Sequence, residues 1–137
     1  MNNLQRIMNH VDVKWKEGSV ALCSDTKGNE MLCDWDSDNS LSPVQIMVQM
    51  VGVCSMAEVV VGMKEREFDS LKVGIDYERN NENPRYVTKM NLIFKLNTDL
   101  KWEKFIRRLI AQTFDKYCSV ASTISGVTEI TWELELN

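Results

Sequence analysis

The opening third of the chain alternates between apolar and polar positions. Val11, Val13 and Trp15 are separated by Asp12, Lys14 and Lys16, the period of a half-buried strand. Glu17-Gly18 turns the chain, and Ser19 to Cys23 reads as a second strand. Asp25-Thr26-Lys27-Gly28-Asn29 is a turn cluster. Met31, Cys33 and Trp35 then alternate with Glu30, Leu32 and Asp34 as a third strand, and Asp36 to Leu41 is a polar loop.

The pattern changes at Ser42. From there to Lys64 the chain is apolar with few interruptions, and its polar members Gln45, Gln49, Ser55 and Glu58 do not alternate. The many valines favour a strand, but the run is about four times a usual strand length. It also opens as a helix does. Ser42 can cap, Pro43 suits the first helical position, and Gln45 completes a Ser-x-x-Gln capping box. The expectation is a helix of about six turns, roughly 30 Å long. A helix apolar on nearly every side has to be covered on nearly every side.

Beyond the charged stop Lys64-Glu65-Arg66-Glu67, alternation returns. Leu71, Val73, Ile75 and Tyr77 form one face of a strand. After the loop Asn80–Pro84, Tyr86, Thr88, Met90, Leu92, Phe94 and Leu96 form one face of the next. The two make a long antiparallel hairpin. Asp99 is a candidate cap for an amphipathic helix with Trp102, Phe105, Ile106, Leu109, Ile110 and Phe114 on its apolar side. That helix ends at Lys116-Tyr117. Ser119 to Ser125 can form a short helix, Gly126 breaks it, and Ile130, Trp132, Leu134 and Leu136 mark a last strand. The order βββ-α-ββ-α(α)-β predicts an α+β fold with antiparallel sheets. With no repeat or linker, residues 1–137 are expected to form a single domain.

Charge and composition narrow the function. A net charge of −4, with 16 Lys+Arg and no basic block, argues against nucleic acid. The apolar helix is long enough to cross a bilayer, but Glu58 lies inside it, and a carboxylate there costs roughly 2.5–3.5 kcal/mol on insertion scales, so no membrane span is expected. Met1–Arg6 has no apolar signal core, so the expected compartment is the cytoplasm. There, four cysteines are more often reduced, catalytic or buried than paired. None are spaced Cys-x-x-Cys, and His10 is the only histidine, so no metal or cofactor is expected.

Two cysteines stand out. Cys54 lies in the middle of the apolar helix, and Cys118 sits at a helix junction after Lys116-Tyr117. Free cysteine commonly behaves as a small buried hydrophobe, a reading open to both. If a short helix starts at Cys118, backbone N–H groups and Lys116 would favour its thiolate. Cys23 and Cys33 belong to strands and are expected in the core or on a sheet face. Glu58 shares a helix face with Cys54. It is either exposed at a groove, paired with a cation or functional. Trp15, Trp35, Trp102 and Trp132 are expected in the core, and Met47, Met50, Met56 and Met63 in packing roles.

Ser42-Pro43 leading to Gly52-Val53-Cys54-Ser55, and Arg108 ahead of Tyr117-Cys118-Ser119-Val120, resemble the OsmC/Ohr superfamily. Asn83-Pro84-Arg85-Tyr86-Val87-Thr88 at the start of a long strand fits its OsmC-like branch. The resemblance runs from about Val11 to the C-terminus. It implies an intertwined homodimer in which antiparallel sheets wrap around two long central helices, the partner copy supplying part of the helix cover. It also implies a thiol peroxidase for small organic hydroperoxides. Cys54 would be the peroxidatic thiolate, Cys118 the resolving thiol, and a dithiol reductant, lipoyl-type in the Ohr branch, would reset the pair. Peroxidase members carry a glutamate ten residues before the first cysteine, where this chain has Val44 beside Gln45. They also carry an arginine in an N-terminal loop. Here Arg6 is the one arginine before the central helix, and the loop region offers Lys14, Lys16 and Lys27. These departures leave two alternatives. One is an OsmC-like domain that binds a small apolar ligand or a partner in the dimer-interface groove. The other is a structural dimer with inert cysteines.

Overall fold

The first alternating segment folds as a meander, β1 (Val11–Glu17), β2 (Val20–Asp25) and β3 (Glu30–Asp34), paired antiparallel in that order. A computed structural model describes residues 8–137; Arg6 and the rest of the tail lie outside the described residues. The chain divides into two compact units, residues 1–47 and 48–137.

In the first unit, the pairings Val13↔Cys23 and Cys23↔Met31, with Trp15↔Ala21 and Ala21↔Cys33, gather these residues on one face of the sheet. The expected half-burial of β1 does not hold: Val13 is 71% and Trp15 67% exposed. Trp35, expected in the core, is 54% exposed. The alternation is right, since Val13 and Trp15 share one face of the sheet, but both side chains are exposed. Asp34, by contrast, is fully buried. Its carboxylate accepts from the Ser19 hydroxyl and from the amides of Asp36 and Asn39, both at 2.9 Å, and so holds the loop after β3. The Ser19 hydroxyl and these amides keep its pKa down at about 2.

The apolar run is helix α1, Pro43–Met63. Its capping box forms in both directions. The Gln45 amide donates to Ser42 Oγ at 3.3 Å, and the Ser42 amide donates to Gln45 Oε1 at 2.9 Å. Lys64, at φ +53°, ends it. The second unit begins inside α1. There Val48, Val51, Gly52, Ser55, Val59 and Met63 form a buried stripe. The cover that so apolar a helix needs is incomplete on the opposite stripe, where Val53 is 55% and Val61 75% exposed. Of the four methionines read as packing residues, Met63 is buried and Met47 and Met50 are exposed. Among the described residues, α1 is the one helix long and apolar enough to cross a membrane.

β4 (Phe68–Arg79) and β5 (Val87–Thr98) form the long hairpin. Met90, Leu92, Phe94 and Leu96 are buried on one face as the alternation predicts. Towards the start of β5, Glu78 pairs with Lys89 but Arg79 with Val87. This bulge shifts the pleat by one residue, so Val87 is buried where Tyr86 was expected, and Tyr86 is exposed. β6 (Glu129–Leu136) lies beside β5 and runs parallel to it. The expectation of purely antiparallel sheets is therefore corrected for this sheet. A long helical crossover links β5 to β6, the connection that parallel neighbours need.

In that crossover the Asp99 carboxylate accepts from the Lys101 amide at 2.9 Å, capping a short 3₁₀ turn, Leu100–Trp102. α2 (Glu103–Gln112) follows and buries Ile106 and Ile110. A π turn, Thr113–Tyr117, leads to α3, Ser119–Ile124. α1 and α2 approach closely at Gly62, where an added Cβ would lie 2.7 Å from Leu109 Cδ2. The Arg66 guanidinium stacks 4.8 Å from the Trp102 ring centroid and 3.8 Å from that of Phe105.

Candidate functional site

Cys54 is carried by the middle of α1, on the half-buried flank between the buried and exposed stripes. Helical spacing places it there: it follows buried Val51 by three positions and precedes half-buried Glu58 by four. Its neighbour Ser55 turns inward and donates to the Gly52 carbonyl at 3.1 Å, so the hydroxyl is satisfied within the helix.

Cys118 comes from the far end of the crossover and is fully buried. It stands between the π turn and α3 with φ −77° and ψ 99°, the extended geometry of an N-cap. Its sulfur accepts from the Ala121 amide at 3.4 Å, as an N-cap oxygen would. The fold makes the two side chains neighbours: Cys54 is near enough to act on the Cys118 thiol.

The electrostatics separate the pair. Burial pushes the Cys118 thiol well up, and the neighbouring Cys54 pushes it further. The amides of Ala121 and Val120 act in the opposite direction and do not win. This corrects the expectation that a helix start would favour the Cys118 thiolate. The short helix is there, but removal from water outweighs its N–H groups. Burial thus holds the Cys118 thiol protonated.

Glu58 is half-buried and makes no ion pair among the described residues. Cys23 and Cys33 share a sheet face in the first unit. Burial is the main influence that raises the Cys33 thiol, followed by Cys23 and Asp34. Among the described residues, no three His, Cys, Asp or Glu side chains form a group able to hold a metal ion. The feature that sequence reasoning missed is the π turn. Its local signal is that Cys118 follows by five, rather than four, the buried Thr113.

Comparison with known proteins adds the lineage. The family described as OsmC-like protein matches residues 36–133. Protein YhfA of Escherichia coli is 33% identical over 90% of this chain and 95% of its own length. An OsmC like protein from Mycoplasma pneumoniae has the same fold, at TM-score 0.75 and 14% identity over 94% of this chain and 96% of that one. So does an organic hydroperoxide resistance protein from Legionella pneumophila, at TM-score 0.65 and 12% identity over 93% and 96% of the two chains.

Proposed function

The chain belongs to the OsmC-like family, and from that premise we propose that it is a thiol-dependent peroxidase that reduces organic hydroperoxides through Cys54 and Cys118. The observation that carries this reading is the pair itself, a half-buried thiol beside a fully buried one held protonated. The name of the Legionella pneumophila relative points to the same substrate class.

In the proposed cycle the Cys54 thiolate attacks the outer oxygen of R–O–OH. The O–O bond breaks, the alkoxide takes a proton and leaves as ROH, and Cys54 becomes a sulfenic acid. The Cys118 sulfur then attacks the Cys54 sulfur and gives up its proton, and hydroxide leaves as water with the disulfide formed. A dithiol reductant, lipoyl-type by analogy with the Ohr branch, reduces that disulfide and leaves as a cyclic disulfide. The low acidity of Cys118 suits this order, because Cys118 does not compete for the peroxide.

The same reading has the chain act as a homodimer, with residues 1–137 as one OsmC-like domain in the cytoplasm, where free thiols persist. The exposed stripe of α1 and the exposed apolar face of β1–β3 support a second copy as their cover. Glu58 and Gln49 on α1 disfavour a bilayer there.

A stopped-flow assay with cumene hydroperoxide and dihydrolipoamide tests the proposal. Turnover that disappears in Cys54→Ser supports it, and absence of turnover in the wild-type protein refutes it. A second reading has two observations in its favour: Val44 stands where peroxidase members have a glutamate, and no arginine precedes α1 among the described residues. On that reading the groove around Cys54 binds a small apolar ligand or a partner. Cys54 would then alkylate no faster than an ordinary free thiol.

A further inference from the structure

The buried face of α2 is set by Ile106 and Ile110 and continued by Thr113, the first residue of the π turn; the three follow each other by four and three residues. Regular α-helix would place Tyr117 next on that face. Instead Tyr117 is 55% exposed and Cys118 is fully buried. The cause is the π turn, which lets the Cys118 amide donate to the Thr113 carbonyl, five residues back, at 2.8 Å. One extra residue in a turn amounts to about 100° of rotation around the helix axis. The π turn thus decides which of two adjacent side chains, Tyr117 or Cys118, faces inward.

Thr113 holds both ends of this turn. Its hydroxyl donates to the Leu109 carbonyl at 2.8 Å, and its carbonyl receives the Cys118 amide. Its own amide is shared between the Ile110 and Leu109 carbonyls, the transition from regular helix to the wider turn. Threonine hydroxyls that bond back four residues are known to bend helices, and π turns recur at functional positions. We propose that Thr113 is a positioning residue: through the π turn it turns the Cys118 sulfur toward Cys54. The functional purpose rests on the reading of Cys54 and Cys118 as a redox pair. The positioning itself rests on the hydrogen bonds.

The two claims separate in one experiment on the full-length protein. Thr113→Val keeps the side-chain shape and removes the hydroxyl, while Thr113→Ser keeps the hydroxyl. In the reduced proteins, iodoacetamide labelling is followed at each cysteine by mass spectrometry, at a temperature where circular dichroism shows every variant folded. In Thr113→Val, labelling of Cys118 rises about tenfold or more as local opening becomes easier, while Cys23 and Cys33 label at wild-type rates. In Thr113→Ser, Cys118 stays as protected as in the wild-type protein. Protection of Cys118 that is unchanged in Thr113→Val overturns the positioning role, and so does loss of protection at all cysteines alike. Should Thr113→Val not fold, Thr113→Ala removes the same hydroxyl and is read in the same way. Diamide oxidation of the same samples reads the pair. Failure of the wild-type protein to form a Cys54–Cys118 disulfide counts against the redox reading and leaves the labelling result to decide the role of Thr113.

Discussion

The Cys118 thiol has Cys54 as a neighbour that helps to raise its pKa, one on the crossover that closes the second sheet, the other at the middle of α1. Because burial holds Cys118 protonated, the two sulfurs are not interchangeable. Cys118→Ser is expected to reduce one equivalent of cumene hydroperoxide and then stall with Cys54 as a sulfenic acid that dimedone traps. Cys54→Ser is expected to reduce none. Single-turnover kinetics with mass detection reads both outcomes.

The raised Cys118 pKa also has a stability consequence. The unfolded chain releases this proton near the ordinary thiol value of about 8.5, while the folded protein retains it to higher pH. The associated stability is complete below that value and is lost as pH rises through it towards the folded pKa. Cys118→Ala should therefore show a shallower alkaline loss of stability than the wild-type protein in urea titrations between pH 7 and pH 10.

Asp34 has the opposite sign. Its pKa is lowered to about 2, so the stability it contributes is present above the ordinary carboxylate value of about 4 and is lost as pH falls towards 2. Asp34→Asn, which cannot accept as a carboxylate, should flatten acid unfolding in that window. Hydrogen exchange at the Asp36 and Asn39 amides should be faster in this variant at neutral pH.

Arg66 stacks on Trp102 and Phe105, and its Nη1 donates to the Met63 carbonyl at 3.4 Å at the end of α1. Arg66→Ala is expected to cost about 1–2 kcal/mol in chemical denaturation. Gly62→Ala should cost about 1–3 kcal/mol, because the added methyl meets Leu109. Trimming Leu109 to Ala in the same chain should recover part of that loss, a coupling that a double-mutant cycle measures.

Val53, 55% exposed on the outer stripe of α1, tests the homodimer. Sedimentation should show a dimer for the wild-type chain at micromolar concentration. Val53→Glu, which places a charge on the apolar stripe, should shift it to monomer. A wild-type chain that sediments as a monomer contradicts the proposed assembly.

The elements were readable in the chain because their signals are local. Ser42 with Gln45 and Asp99 with the Lys101 amide form caps where the sequence places them. The alternation of Met90, Leu92, Phe94 and Leu96 names a buried face that exists. What was hidden depends on partners that a local pattern does not contain. β6 alternates in the same way whether it runs parallel or antiparallel to β5. The bulge before Lys89 shows only in the pairing of two strands. Trp15 carries the pattern of a buried face, yet it is exposed. At the site, places in helices mark Cys54 and Cys118 one by one, but their pairing is implied by the family resemblance. Two strands and a helix separate them in the chain, and no spacing encodes their approach. The π turn that sets Cys118 rather than Tyr117 inward rests on a hydroxyl and a carbonyl of one ordinary-looking threonine.

Peptide mapping of the wild-type protein after one equivalent of cumene hydroperoxide bears most directly on the redox pair. The expected product is a single intramolecular disulfide between Cys54 and Cys118, formed within the time of peroxide loss and reversed by dihydrolipoamide, with Cys23 and Cys33 still reduced. Peroxide that persists while Cys54 and Cys118 both remain free thiols would contradict it.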